Sequence, residues 1–86
     1  MYRVLLTEKA RRFFEEAQAS LQRQLDRCFE RLKIDPRRYP NIKPLKGALA
    51  GRYRYRVGDY RVIYRIDDER EAVIVLLIAH RGHVYD

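Results

Sequence analysis

The sequence contains a single cysteine, Cys28, which cannot form an internal disulfide and has no metal-ligand spacing around it. It also lacks a glycine-rich phosphate loop, a paired carboxylate site and a cysteine and histidine set that would hold a metal. The longest apolar run, residues 72–79, is far shorter than the ~20 residues that a membrane helix needs. These absences argue against a disulfide scaffold, a metal or cofactor enzyme and a membrane-spanning protein.

Positive charge, by contrast, is abundant. The formal net charge is +7 and the pI is about 9.9, which indicates nucleic acid, an anionic membrane surface or an acidic protein as the partner. At 86 residues the chain is predicted to form one domain, residues 1–86, with a modest core. Because no apolar run opens the sequence, we expect no signal peptide and a soluble cytoplasmic protein without membrane association.

The first third of the chain predicts a strand followed by helix. Residues 2–6 are rich in strand formers, and Thr7 is a suitable N-cap with Glu8 in the first turn. Apolar residues then recur at helical spacing as far as Leu32. The pattern allows one long helix or two, and we favour two helices with a break within residues 17–20. We interpret the cysteine and the phenylalanines of this segment as core residues rather than ligands or nucleophiles.

Proline and strand patterns predict the rest of the fold. Three prolines between residues 36 and 44 prevent the helix from resuming, so residues 39–50 are predicted to be an ordered loop that carries Lys43 and Lys46. Residues 73–79 form a continuous apolar strand, a type that is usually central and covered. The order β-α-α-β-β-β predicts an α+β domain with two helices packed on one mainly antiparallel four-stranded sheet.

The most informative stretch is residues 51–67, which alternates with period two on both sides of a Gly-Asp pair. Gly58 as the first central residue suits a type II′ hairpin turn, and this turn predicts that Arg56 faces Arg61. One face then collects tyrosine and aliphatic side chains as a core face. The opposite face collects Arg52, Arg54, Arg56, Arg61 and Arg65 around Ile63.

The arginine face has two interpretations. Most charged strand faces are solvated surface, and this one can be so too. In the predicted register, however, Arg56 faces Arg61 and Arg52 faces Arg65, and such like-charged pairs are destabilising. Guanidinium groups bind phosphate bidentately, so five arginines on one face suit an anion with several phosphates. We therefore favour a binding face over a solvated one.

The end of the chain adds ionisable side chains close to this face, namely His80, Arg81, His83 and Tyr85. Cleavage of RNA requires a deprotonated 2′-hydroxyl, a stabilised phosphorane charge and a protonated 5′-oxygen. Arginines can stabilise the charge. A histidine, or a tyrosine whose pKa is lowered by positive charge, can serve as the base.

Three stretches of the sequence resemble the RelE/ParE toxin superfamily. They are KPLKG at residues 43–47, GRYRYRVGDYRVIY at residues 51–64 and AHRGHVY at residues 79–85. The resemblance implies a toxin of a type II toxin–antitoxin pair, of the RelE branch, that enters the ribosomal A site. There it would cut mRNA through the 2′-hydroxyl without a metal or cofactor, with the ribosome, mRNA and a cognate antitoxin as partners. The positive charge predicts that this antitoxin has an acidic, partly disordered segment.

The same resemblance assigns the site residues. The catalytic residues would be Arg54, Arg56, Arg61, Arg81, His83 and Tyr85, with either Tyr85 or His83 as the general base. Contacts to RNA or the ribosome would come from Lys43, Lys46, Arg52, Arg65 and His80. The alternatives are a non-catalytic inhibitor of DNA gyrase, as in the ParE branch, and an inactive relative that only binds its antitoxin. The set of Arg61, Arg81 and Tyr85 favours the nuclease, since a gyrase inhibitor has no need of it.

Overall fold

In the computed structural model, which describes residues 1–83, two helices pack on one face of a single mixed sheet. The strands are β1 (Arg3–Leu6), β2 (Ile42–Pro44), β3 (Tyr53–Val57), β4 (Tyr60–Asp67) and β5 (Ala72–His80). The helices are α1 (Glu8–Glu16) and α2 (Ala19–Ile34), and short 3₁₀ turns cover Gly47–Leu49 and Arg81–His83. The predicted α+β class is confirmed.

The helical segment divides where the sequence predicted. Thr7 caps α1, and its Oγ1 accepts a hydrogen bond from the Ala10 N–H at 3.2 Å. The two residues between α1 and α2 have extended backbones, and Gln22 Nε2 donates to the Phe14 carbonyl at 2.8 Å across the junction. The favoured break within residues 17–20 is therefore confirmed, and the segment forms two helices rather than one.

The sheet has the strand order β1-β5-β4-β3-β2, with β1 parallel to β5 and the other pairs antiparallel. The predicted count of four strands was one too low, because β2 lies in the segment that was predicted to be a loop. Pro44 is compatible with β2 since an edge strand has no second ladder to which its nitrogen must donate. The apolar strand β5 has a neighbour on each side, as its continuous sequence predicted.

The central hairpin has the predicted register. The pairs are Val57–Tyr60, Arg56–Arg61, Tyr55–Val62, Arg54–Ile63 and Tyr53–Tyr64. Gly58 has a φ of +56° whereas Asp59 does not take a positive φ, as a type II′ turn requires. The pairing ends one step before the predicted pair of Arg52 and Arg65. Arg52 instead precedes β3, and its N–H donates to the carbonyl of Leu49 in the 3₁₀ turn at 3.1 Å.

A bulge in β5 decides which of its side chains share each face. Leu76 is an extra residue in the described pairing of β5 with β4, and its carbonyl accepts a hydrogen bond from Thr7 Oγ1 at 3.0 Å. The side-chain alternation reverses beyond this residue. Ala79 consequently lies opposite Arg61, while His80 takes the side of the sheet that faces the helices.

The core lies between the helices and the sheet. Its buried members are Ala10, Leu25, Cys28, Phe29, Leu32, Tyr55, Val57, Val62, Tyr64, Val73, Val75 and Ile78. Burial raises the pKa of the Cys28 thiol far above its ordinary value, so this side chain stays neutral and packs as an apolar residue. The interpretation of Cys28 as a core residue is confirmed.

Tyr64 joins the sheet to the chain that follows α2. Its side chain is fully buried, and its hydroxyl donates to the Pro36 carbonyl at 2.7 Å. We expect Tyr64→Phe to lower the free energy of unfolding by ~1–3 kcal/mol, because the change leaves a carbonyl without its donor. Guanidinium denaturation measures the loss. Tyr60→Phe is the matched control, since its hydroxyl has no hydrogen bond within residues 1–83. Equal stability of the parent and Tyr64→Phe would contradict the assignment.

Candidate functional site

The sheet face opposite the helices carries most of the predicted site, and we call it the helix-free face. Its side chains are Lys43 on β2, Arg54 and Arg56 on β3, Arg61, Ile63 and Arg65 on β4, and Leu5, Ile74, Leu77 and Ala79 on β1 and β5. Arg3 on β1 and Asp67 on β4 also lie on this face, which is therefore mainly basic along β2, β3 and β4 and mainly apolar along β1 and β5. Successive side chains of a strand point to opposite faces of the sheet. The residues between those named here therefore point toward the helices and form the core.

The like-charged pair predicted from the hairpin is present. Arg56 is exposed and Arg61 lies directly opposite on β4 with only 5% of its surface exposed. Arg56 Nε and Arg61 Nη1 each lie 3.4 Å from the Gly58 carbonyl, and Arg61 Nη1 also donates to the Tyr60 carbonyl at 3.3 Å. Carbonyl oxygens of the turn thus offset part of the repulsion between the two guanidinium groups. The burial of Arg61 is a property that the sequence did not indicate.

Arg81 joins the same end of the sheet. It is the first residue of the 3₁₀ turn after β5, and its N–H donates to the Asp59 carbonyl at 2.7 Å. Arg81 Nε lies 3.9 Å from Asp59 Oδ1, and the side chain remains largely exposed. Because Asp59 belongs to the turn that also binds Arg56 and Arg61, three predicted arginines meet at the hairpin turn.

Arg54 and Lys43 extend the basic surface toward the sheet edge. The two residues are paired across β2 and β3, and Lys43 is exposed while Arg54 is half-buried. Arg54 Nη1 donates to the Asn41 carbonyl at 2.8 Å. Sequence reasoning did not select Asn41, although its place as the only asparagine of the chain, after Pro40, was visible.

Other predicted contact residues lie apart from this cluster. Arg65 is exposed on β4, four residues and therefore about 13 Å along the strand from Arg61. Arg52 lies beyond the far end of β3, and Lys46 precedes the 3₁₀ turn between β2 and β3. The structure thus places predicted catalytic arginines side by side on β3 and β4, whereas these three residues lie farther along the strands or beyond their ends.

His80 lies on the other side of the sheet from the arginines. It pairs with Tyr60, and the two ring centroids are 5.5 Å apart in an edge-on arrangement. Tyr60 in turn contacts Phe13 of α1 at 5.8 Å. The prediction placed His80 near the basic face, and the bulge at Leu76 is the physical reason for the difference.

The two candidates for the general base belong to the end of the chain. Tyr85 lies outside the described residues, and so does the side chain of His83, whose backbone belongs to the last 3₁₀ turn. Both residues stay predictions. Arginine cannot replace them, because a guanidinium group with a pKa above ~12 is not a proton acceptor at neutral pH. The arginine cluster can therefore bind an anion and stabilise developing negative charge, while proton transfer requires another group.

A groove of about 610 Å³ on the helix side of the sheet is a second possible ligand site. It lies between the helix junction and the hairpin turn, and Phe13, Leu21 and Tyr60 contribute its apolar surface. Glu16 and Asp59 contribute carboxylates, which disfavour a phosphate ligand. The arginine cluster also includes Asp59, but it sets three guanidinium groups against that one carboxylate, so it is the better site for an anion.

Residues 1–83 offer neither a metal site nor a membrane-spanning helix. No group of three or more histidine, cysteine or acidic side chains in that part of the chain is arranged to hold a metal ion. Neither of its α-helices combines the length and apolar character needed to cross a membrane.

Comparisons with known proteins identify relatives of this fold. The family described as the ParE toxin of the type II toxin–antitoxin system parDE matches residues 4–85. Toxin RelG of Mycobacterium tuberculosis is 49% identical over 43 residues, which cover 50% of this chain and 49% of that protein. The matched part of the chain thus spans about half the length of this curated relative.

Solved structures extend the likeness to nearly the whole chain. The toxin–antitoxin complex RelBE2 of Mycobacterium tuberculosis contains a chain that is 34% identical, with a TM-score of 0.80 and coverage of 93% of this chain and 98% of that one. The archaeal RelE–RelB complex of Pyrococcus horikoshii OT3 gives 26% identity and a TM-score of 0.78, covering 96% and 98%. A family match that spans almost every residue and this structural agreement together show that the chain belongs to the RelE/ParE family of type II toxin–antitoxin toxins.

Proposed function

We propose that this toxin is a ribosome-dependent, metal-independent endoribonuclease that cleaves mRNA in the A site and so inhibits translation. The observation that carries the proposal is the meeting of Arg56, Arg61 and Arg81 at one hairpin turn. Three guanidinium groups beside a single turn suit a substrate whose reaction centre gains negative charge. Arg54 continues this surface along β3 beside the reacting phosphate, and Lys43 continues it on β2, where a neighbouring phosphate of the RNA strand would bind.

The proposed reaction needs no group from outside the RNA and the protein. The 2′-oxygen attacks the adjacent phosphorus in line, its proton passes to the general base, and the bond from phosphorus to the 5′-oxygen breaks. The products are a 2′,3′-cyclic phosphate and a 5′-hydroxyl, which takes a proton from a general acid. The arginine cluster stabilises the phosphorane charge, and Tyr85 or His83 supplies the base.

A cognate antitoxin is the proposed protein partner. Relatives of this chain were solved in complexes, one named the toxin–antitoxin complex RelBE2 and one named a RelE–RelB complex. The net charge of +7 and the basic cluster favour an acidic segment that folds over the toxin and excludes RNA. The affinity is then expected to fall as salt rises, since charges are screened over about 8 Å at physiological ionic strength.

A second candidate function is inhibition of DNA gyrase without catalysis. The observation that favours it is the matching family model, whose description names the ParE toxin of the parDE system. The arginine cluster favours the nuclease instead, because a protein that only binds gyrase has no reacting phosphate to stabilise.

The two candidates are separated by parallel assays on the purified chain. Primer extension on a defined message in a translation extract should reveal cuts that require ribosomes and persist in EDTA. Supercoiling and DNA-cleavage assays with purified gyrase should show no change. Uncut message together with gyrase-dependent DNA breaks would replace the nuclease by the second candidate. Cleavage of free RNA at equal rate would remove the ribosome from the proposal.

A further inference from the structure

Asn41 forms an unusually complete set of hydrogen bonds with strand β3. It precedes β2 and lies opposite Arg56, one step beyond the Ile42–Tyr55 pair. The Asn41 carbonyl accepts from the Arg56 N–H at 3.0 Å, and Asn41 Nδ2 donates to the Arg56 carbonyl at 3.0 Å. Main chain and side chain of one residue thus bind both backbone groups of Arg56, which fixes the position of the Asn41 peptide.

The same Asn41 carbonyl also holds Arg54. Its second lone pair accepts a hydrogen bond from Arg54 Nη1 at 2.8 Å, the short distance expected for a charged donor. Arg54 is half-buried, so this contact directs its guanidinium group along the helix-free face. The Asn41 carbonyl is therefore one of the groups that set the orientation of Arg54.

The Arg31 guanidinium group, on helix α2, contacts the side-chain amide of Asn41. Arg31 of α2 directs Nη1 to Asn41 Oδ1 at 3.5 Å and to the Tyr55 hydroxyl at 3.2 Å. Its guanidinium carbon lies 5.1 Å from the centroid of the Tyr39 ring, within the range of a cation–π contact. Three contacts restrict Arg31, which in turn favours the amide orientation that binds Arg56.

We infer that Asn41 is a positioning residue for the nuclease, which holds the Arg54 guanidinium group where a scissile-strand phosphate binds. The inference rests on the proposed function. Alanine at this position keeps the carbonyl but loses the two side-chain bonds that orient it. The Arg54 guanidinium group then loses part of its restraint, and a misplacement of this kind costs rate rather than ground-state affinity.

Single-turnover cleavage by ribosome-bound toxin tests the inference through a double-mutant cycle. Asn41→Ala should lower the maximal rate ~10-fold, with half-saturation changed less than ~2-fold. In an Arg54→Lys background, Asn41→Ala should cause no further loss, because the guanidinium group on which it acts is gone. Gln22→Ala is the control, since it removes another amide-to-carbonyl bond, that to Phe14, far from Arg54 in the fold. Multiplicative losses in the double variant would overturn the inference.

A second measurement separates this inference from the proposed function. Nitrogen-15 NMR of arginine side chains reports rotation of the Arg54 guanidinium group, which should be hindered in the parent and in Gln22→Ala but rapid in Asn41→Ala. If the parent does not cut mRNA, the proposed function fails and this spectrum alone decides the positioning. Equally hindered rotation in the parent and Asn41→Ala would overturn the inference, whatever the cleavage assay gives.

Discussion

Arg81→Ala and Arg61→Ala are each expected to abolish growth inhibition on induced expression. Both guanidinium groups meet at the hairpin turn, where they would stabilise the charge of the phosphorane. Removal of one such donor typically costs ~10²-fold or more in rate, so cleavage by either variant should fall by at least that factor. Primer extension and growth curves at matched expression measure the two effects.

The two alanine variants are expected to differ in thermal stability. Arg81 is largely exposed, so Arg81→Ala should melt at the parent temperature. Arg61 is 5% exposed and binds two carbonyls of the hairpin, so its alanine variant should also lose stability. Arg61→Lys keeps the charge and most of the packing, and it should restore stability without restoring full activity, because ammonium does not bind phosphate bidentately.

Arg12→Ala is the control variant for the loss of one positive charge. Arg12 is an exposed residue of α1 that lies 3.6 Å from Glu8, on the helix layer rather than the helix-free face. Its removal lowers the net charge by the same amount and should leave cleavage within ~2-fold of the parent. If Arg61→Ala and Arg81→Ala remain as toxic as the parent at equal expression, the assignment of the arginine cluster is wrong.

Tyr85→Phe is expected to have the second large effect. The change removes the ionisable oxygen but keeps the aromatic ring, so only the general base would be lost. Cleavage should slow by ~10²-fold or more, and ribosome binding should stay close to that of the parent because it depends on the basic residues. The cut RNA should carry a 2′,3′-cyclic phosphate at its new 3′ end, since the nucleophile is internal.

His83→Gln provides the opposing test. If His83 is the base, His83→Gln is the more damaging change, and parent activity falls in acid through the range in which an ordinary imidazole gains a proton, near pH ~6.5. The sign follows from the mechanism, because only neutral imidazole accepts the proton. If Tyr85 is the base, parent activity instead keeps rising with pH well above this range, because a phenol loses its proton only at higher pH than an imidazolium. Full activity of both variants would exclude both residues as the base.

Arg56 and Arg61 are expected to differ in their kinetic roles, because the structure restrains them to different degrees. Arg56 is exposed and contacts one turn carbonyl through Nε, whereas Arg61 is nearly buried and contacts two turn carbonyls, so Arg56 is the less restrained of the two. A preorganised charge costs little reorganisation at the transition state, while a mobile one contributes mainly to binding. Losses at Arg61 are therefore expected in the maximal rate, and losses at Arg56 in half-saturation.

The sequence by itself determined the hairpin and the helix pair. Strict alternation around Gly58 leaves one register in which every tyrosine and valine side chain of the hairpin faces the core, so the Arg56–Arg61 pair followed directly. The apolar period and the Thr7 cap likewise defined where α1 begins. These features rest on local patterns, which a chain carries in its own residue order.

The tertiary structure alone decided the edge strand, the bulge and the burial of Arg61. Strand β2 has three residues, and it exists because β3 offers an open edge to a chain held there by Asn41. The bulge at Leu76 is invisible in a strand that is apolar on both faces, since no alternation marks its phase. Yet it places His80 beside Tyr60 instead of beside the arginines. Which side chains share a site was thus fixed by contacts between distant segments, whereas which residue types were available was fixed by the sequence.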